Sequence, residues 1–409
     1  MRHALIASLL IWMLAPLANT EAQESTSDPT PVTVRVATFN IEDLRTSELV
    51  EPYSDRAKQA AEIIQRIRPN IILINEIAYD MPGSPGYDAD EGPGANARRL
   101  AALLATQLRE GVAPLNMTPF TAETNTGRAS GFDLDRNGEV VTLIPPPSDE
   151  STDAGRAYGG DAWGYGEFPG QYGMALLVDE RLEIREDYIR TFRLFPWSRM
   201  PNALLPEREP EEGEEESEAP LMWYEDEAGT LFRLSSKSHW DIPVTLPNGS
   251  VLHVLASHPT PPAFDGPEAR NKKRNHDEIR FWADYVDNAE YILDDQRRPG
   301  GLPARAHFVI VGDLNADPDE GAAIDDPIGN LLLASRWVAD APAPTSPVPV
   351  EGLDPDDTAR FGLRVDYVLP SSTLTLSRAG VWRYPVRAGG AFPSDHYPVW
   401  ADLVVPPAP

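Results

Sequence analysis

The sequence predicts an α/β protein, on three observations. Val32 to Phe39 (VTVRVATF) alternates β-branched and polar residues as a half-buried strand does, whereas Ile71 to Ile77 (IILINEI) and Phe308 to Val311 are apolar runs of the kind buried on both faces of a sheet. Between the first two, Ala57, Ala60, Ala61, Ile63, Ile64 and Ile67 recur at helical spacing, so the chain opens with a βαβ unit. Finally, the predicted strands end on polar residues, and ligands collect at the carboxyl ends of strands in α/β folds.

Each element has its own signal. Ser54 or Asp55 caps the first helix and Pro69 stops it. Residues 83–94 read as loop, and 95–109 as an Ala/Leu-rich amphipathic helix. From about 115 to 170 the pattern dissolves into Gly, Pro, Asp and Ser, too long for an ordinary connection and therefore an insertion. Strands are expected over 172–178 and 182–188. A second insertion, about 195–230, is acidic: Glu207 to Glu218 holds eight Glu against one Arg and reads as a solvated loop. Strands resume over 231–237 and 242–246, and Pro247-Asn248-Gly249 turns the chain into a strand over 251–257. Ile279, Trp282, Tyr285, Val286, Ala289 and Leu293 mark a long helix. Further strands are expected over 363–369, 374–384 and 397–404. With no internal repeat, residues 23–409 read as one domain carrying two long loop insertions.

The N-terminus reads as an address. Arg2 and His3 precede an apolar run from Ala4 to Leu17, and Ala22 fits the end of a cleaved secretory signal peptide, residues 1–22. Export implies a secreted or periplasmic protein. Beyond the signal, no apolar run reaches the roughly 20 residues of a membrane helix, so no integral membrane segment is expected in the mature chain. The 409 residues contain no cysteine, which excludes disulfides, thiolate metal sites and a cysteine nucleophile. The 41 prolines are about twice the usual share and imply many fixed turns. The formal net charge is −29; removing 1–22 takes away Arg2 and Glu21 and leaves it unchanged. Such a charge counsels against non-specific polyanion binding, yet permits an enzyme that meets phosphate at one metal-bearing cleft.

The polar strand ends are Asn40, Glu76, His258, Asp313 with Asn315, and, just before the last strand, Ser394-Asp395-His396; Asp366 interrupts another apolar strand. Asp313 and Asn315, two apart, would point to one side of an extended chain. Oxygen ligands without a nearby Cys or His suit a hard cation such as Mg²⁺. Gly, Asp and Asn are also ordinary turn residues, so the weight lies in the set. The seven histidines form no HxH or HExxH pair, and there is no GxSxG elbow or dinucleotide glycine pattern. His239-Trp240 reads as a packed strand-edge pair. Lys272-Lys273-Arg274 reads as the solvated start of a helix.

The series ATFN (37–40), LINE (73–76), SHP (257–259), GDLNADP (312–318), VDYVL (365–369) and SDHYPVW (394–400) resembles the endonuclease/exonuclease/phosphatase superfamily, in order and across about residues 32–404. The resemblance implies a four-layer sandwich of two mixed β-sheets flanked by helices. It implies Glu76 as principal metal ligand, with Asn40, Asp313, Asn315 and Asp395 near the same ion or a second one, Mg²⁺ or Mn²⁺. His396 matches the catalytic histidine, Asp366 the carboxylate that orients it, and His258 a histidine on the scissile phosphate. The activity implied is phosphodiester hydrolysis by a monomer, with nucleic acid favoured as substrate. A lipid headgroup or small organophosphate is the alternative, and a binding protein without turnover a third.

One motif stands outside that pattern. Asp133, Asp135, Asn137 and Gly138 match the first half of a calcium loop, DxDxNG, but Ile144 stands where a bidentate Glu would complete it. A separate Ca²⁺ site and an Asx-rich turn both fit.

Overall fold

Two β-sheets stacked face to face carry the molecule, and the site lies where their strand ends meet. The computed structural model describes residues 30–210, 219–387 and 390–408; the expected signal peptide and most of the acidic 207–218 run lie outside them. In chain order the strands are β1 (Val32–Leu44), β2 (Ile71–Ile77), β3 (Met117–Phe120), β4 (Met174–Asp179), β5 (Glu183–Ile184), β6 (Arg190–Thr191), β7 (Glu207–Arg208), β8 (Leu221–Met222), β9 (His239–Thr245), β10 (Val251–Ser257), β11 (His307–Asp313), β12 (Asp366–Pro370), β13 (Thr375–Val381) and β14 (Val399–Val405). The α-helices are α1 (Thr46–Leu49), α2 (Asp55–Ile67), α3 (Ala95–Leu104), α4 (Asp153–Gly160), α5 (Asp226–Leu231) and α6 (Arg270–Val286).

The first sheet has the order β13-β14-β1-β2-β4-β3, with β1 and β2 parallel and the other pairs antiparallel. The second runs β12-β11-β10-β9-β5, with β6 also on β9 and β10 parallel to β11. Val34, Val36, Leu73, Leu176 and Val399 of one sheet meet Trp240, Ile242, Val254, Val309 and Val311 of the other in a shared core. The outer face of the first sheet is covered by α2 and α3, through Ala57, Ala60, Ala61, Ile64, Leu100 and Leu104. Small alanines let α2 lie close. The outer face of the second sheet is covered by α6 and aromatic loops, with Phe192, Trp197, Phe281, Trp282 and Tyr285. Helix, sheet, sheet, helix: the mixed sheets and four layers stand as expected.

Local signals set the elements. Ser54 caps α2 by accepting from Ala57 N–H at 3.0 Å, and Arg68 closes it in the left-handed region before Pro69. Four expectations are corrected. The strand expected over 182–188 is confined to Glu183–Ile184, and the helix marked through Ala289 and Leu293 ends at Val286. The stretch 231–237 is not a strand: α5 runs into it, and Ser236 gives its N–H to the Glu278 carboxylate (2.6 Å) instead of to a ladder. The helix expected over 95–109 stops at Leu104. The first insertion region begins with a true edge strand, β3, before its loops. Among the described residues no helix is long and apolar enough to cross a membrane.

Candidate active site

The strand ends of both sheets converge on one cluster. Glu76, at the end of β2, has φ 62°, a left-handed conformation that costs a residue with a Cβ about 1–3 kcal/mol. Its Oε2 accepts from Asp43 N–H at 2.9 Å and its Oε1 from Asn40 Nδ2 at 3.0 Å. The same Asn40 nitrogen donates to Asp313 Oδ2 at 2.9 Å. A fully buried amide thus ties a carboxylate of one sheet to a carboxylate of the other.

Asp313 closes β11. The preceding Gly312 cannot carry a side chain, because a Cβ there would lie 2.0 Å from Ser257 O on β10. Asp313 Oδ1 accepts from Asn315 N–H at 2.9 Å; Oδ2 also faces His258 Nε2 at 3.4 Å and His396 Nε2 at 3.8 Å. Burial opposes its charge, but His396, His258 and Asn40 outweigh it and hold the Asp313 carboxyl below the usual carboxylate range.

His396 is held by three elements. Its Nδ1 lies 2.8 Å from Asp366 Oδ2, its N–H donates to Ser394 Oγ at 3.0 Å, and Ser394 Oγ donates to Asn40 O at 2.7 Å. Asp366 opens β12 directly opposite Asp313 in the ladder and gives its N–H to Thr358 Oγ1 at 2.9 Å. Burial raises Asp366 to about 6. For His396 burial works against protonation, yet Asp366, Asp313 and Asp395 push the imidazole up to about 10. Since Nδ1 faces a carboxylate, it carries a proton and Nε2 is the working nitrogen.

The donor set fits a hard divalent cation. Glu76, Asp313 and His258 have ligand atoms within 4.8 Å of one another, as do Asp313, Asp366 and His396. Two carboxylates held together by one shared amide nitrogen are short of positive charge. Asp395 stands at the rim, 41 % exposed, with Oδ1 3.8 Å from His396 Nε2. Asn315 flanks the cluster: its Nδ2 is spent on Pro259 O at 3.1 Å, leaving the amide oxygen as its free end. It has φ 54°, so the chain turns there, and the simple two-apart rule for Asp313 and Asn315 does not apply.

Three supporting residues escaped sequence reasoning, and a fourth, Ser394, was named with its motif but given no role. Asn75 accepts from Thr38 Oγ1 (3.1 Å) and Asp313 N–H (3.3 Å) and donates to Ser257 O (3.4 Å), stapling the sheets beneath the site; an amide inside the apolar run IILINEI was its signal. Thr358 positions Asp366 from a loop and left none; Ser394, which accepts from His396 N–H, stood in the SDH motif. Lys237 is buried with Nζ 3.3 Å from Pro259 O, and burial lowers its pKa against the pull of Glu278, Glu76 and Asp313. By contrast Arg274 is buried, not solvated, and donates to the carbonyls of Leu234, Trp163 and Arg233. His239 is a core residue against Phe281 and Trp282, its pKa lowered by burial to about 4.

The 133–139 loop lies apart. Asp133 and Asp135 are joined by Asp161, ligand atoms within 4.8 Å. Asn137 gives its N–H to both Asp133 (3.0 Å) and Asp135 (3.2 Å), while its amide oxygen accepts from Glu139 N–H. Buried Asp161 accepts from Leu134 and Val141 N–H.

Comparison with known proteins bears on the whole constellation. The profile of a family described as "Endonuclease/Exonuclease/phosphatase family" matches residues 37–396. No curated protein sequence matches. Among solved structures, an endonuclease/exonuclease/phosphatase from Beutenbergia cavernae is 19 % identical with a TM-score of 0.49, covering 91 % of this chain and 72 % of its own. A D. rerio TDP2 humanized by 14 mutations gives 12 % and 0.45 over 91 % and 98 %. The human Nocturnin catalytic domain with bound sulfate gives 13 % and 0.45 over 92 % and 95 %.

Proposed function

Because the chain belongs to the endonuclease/exonuclease/phosphatase family, whose members are metal-dependent hydrolases of phosphoester bonds, we propose that it is an exported phosphodiesterase acting on nucleic acid. The observation that carries this reading is the Asp366–His396 pair at 2.8 Å, with the free Nε2 facing Asp313 beside Glu76. A binding protein would have no use for a buried histidine–carboxylate pair at such a place.

In this reading Glu76 and Asp313, with Asn40, Asn315 and Asp395 nearby, would hold Mg²⁺ or Mn²⁺, which when bound would supply positive charge to offset that on the phosphoryl oxygens. His396 Nε2 takes a proton from the attacking water as its oxygen bonds to phosphorus. Asp366 keeps Nδ1 protonated and stabilises the imidazolium that forms. His258 Nε2 donates to a non-bridging or leaving oxygen as the ester P–O bond breaks. To act as a base His396 must be neutral, and that form becomes accessible once the neighbouring carboxylates are engaged. We further read residues 1–22 as a cleaved export signal, the mature protein as a monomer, and Asp133, Asp135 and Asn137, now with Asp161, as a separate Ca²⁺ loop.

The test is purified protein with Mg²⁺, Mn²⁺ or Ca²⁺ against plasmid DNA, RNA, sphingomyelin and a chromogenic phosphodiester. Nicking of DNA or RNA that is lost in His396→Ala is the expected result. Hydrolysis of the lipid headgroup alone would transfer the reading to its alternative, and no turnover of any of them would end it.

A further inference from the structure

In a protein of net charge −29, three arginines from three separate segments gather around a single carboxylate. Arg193 Nη2 lies 2.9 Å from Glu123 Oε2, and Arg128 Nη2 3.5 Å from the same oxygen. Arg233 Nη1 donates to Asn125 Oδ1 at 2.5 Å, its guanidinium 4.8 Å over the Trp163 ring. Among the described residues, Arg128 Nη1 reaches only the sulfur of Met81, at 3.8 Å. Each guanidinium has five N–H donors, so these partners leave most of them unused. Asp295, the other acid nearby, is already occupied: it accepts from Thr191 Oγ1 and from the N–H groups of Arg193 and Leu194. Glu123 is 44 % exposed and Arg128 31 %, whereas Arg193 is only 15 % exposed, so the cluster meets solvent through Glu123 and Arg128. Burial and repulsion from Arg193 and Arg128 lower Arg233 to about 10.

The cluster is joined to the reaction centre through Asn125 and Lys237: Asn125 accepts from Arg233 and gives its N–H to Lys237 O, and Lys237 Nζ reaches the carbonyl of Pro259, next to His258. Tyr79, three residues past Glu76, lies in the field of Glu123, Arg128 and Arg193. Arg233 precedes Lys237 by four residues, on the order of 13 Å of extended chain. The Lys237 carbonyl accepts from Asn125 N–H at 2.9 Å, and its ammonium feels Glu76 and Asp313. Planar guanidinium forks bind phosphate oxygens in pairs, and a cleft that already handles one phosphate would present its neighbour here.

We propose that Arg128, Arg193 and Arg233 form a second phosphate subsite, which engages a non-scissile phosphate of an oligonucleotide and so selects chains with several phosphates over an isolated phosphodiester. The proposal rests on the phosphodiesterase reading, and its test separates the two. The substrates are a thymidine dinucleotide, with one internucleotide phosphate, and a tetranucleotide, with three. For the parent, kcat/KM should rise about tenfold or more from the shorter to the longer, the scale of one charge-assisted phosphate contact. Arg128→Gln and Arg233→Gln should raise KM for the tetranucleotide and leave the dinucleotide nearly unchanged. Glu123→Gln, which frees the arginines, should lower KM for the tetranucleotide. Independently of turnover, calorimetry with inorganic tripolyphosphate in EDTA should show binding that Arg233→Gln weakens about tenfold. Tripolyphosphate binding with this loss, but no hydrolysis, would keep the subsite and remove the reaction. Equal kcat/KM for the two lengths, or equal losses on both in the Gln variants, would overturn the subsite while leaving the reaction intact.

Discussion

Asp313 belongs to two groups of three potential ligands and Asp133 to one, on very different supports. Asp313 is 1 % exposed on the last residue of a strand, locked by Gly312 against β10 and reached by an amide and two imidazoles from other elements. Asp133 lies in a loop and accepts from the N–H groups of Asn137 and Gly138 in its own turn. Around Asp313 the protein's own structure brings unlike chemical groups from both sheets to one point; around Asp133, apart from buried Asp161, the turn explains its carboxylates by itself. Proximity of acids is therefore weaker evidence of chemistry than the number of independent elements that position them.

The comparison can be broken most decisively at His396. His396→Ala should reduce turnover of a chromogenic phosphodiester by about 10² or more, the scale of a lost general base, with folding and metal binding nearly intact. Asp366→Asn should lower turnover as well, but add little in the His396→Ala background, because the two act as a unit. Retention of most activity in His396→Ala would show that the elaborate support serves something else. A smaller change is expected for Glu76→Gln: weaker dependence-midpoint for divalent ion, with excess Mn²⁺ restoring part of the rate.

The pH profile sharpens the same contrast. Rate should rise with pH as His396 loses its proton, and the acidic limb should move to lower pH as divalent ion is added and the neighbouring carboxylates are engaged. In metal-free protein the sign for stability is opposite. The folded pKa of His396, about 10, lies above its unfolded value of about 6.5, so its contribution is complete below pH 6.5 and lost as pH rises to 10. His396→Gln should flatten the fall in thermal stability over that window. The smallest effect belongs to the loop: Ca²⁺ should raise the melting temperature modestly in Glu76→Gln protein, and Asp133→Ala with Asp135→Ala should abolish the rise. An unchanged melting curve would reduce the loop to a turn.

Strand ends were readable because each carries an apolar run that stops at a polar residue, as at IILINEI and FVIVGDLN; that pattern located Glu76, His258 and Asp313. The histidine and its carboxylate were readable through SDH and VDYVL. What could not be read were side chains that act through a partner distant in sequence. Asn75 works across the two sheets, Thr358 acts from a loop, and the Glu278 carboxylate takes the Ser236 N–H. The three arginines around Glu123 have no sequence spacing at all; only the fold of two long loop regions unites them.

Ser394 links the segment that leads into β14 to the first strand, and this has a consequence for the order of assembly. β14 fills the place beside β1, His396 enters with it, and the serine hydroxyl fastens both to Asn40. The β1–β2 unit can form from residues 32–77 alone, but Ser394 lies 354 residues beyond Asn40 in the sequence, so local folding of that unit cannot assemble the cluster.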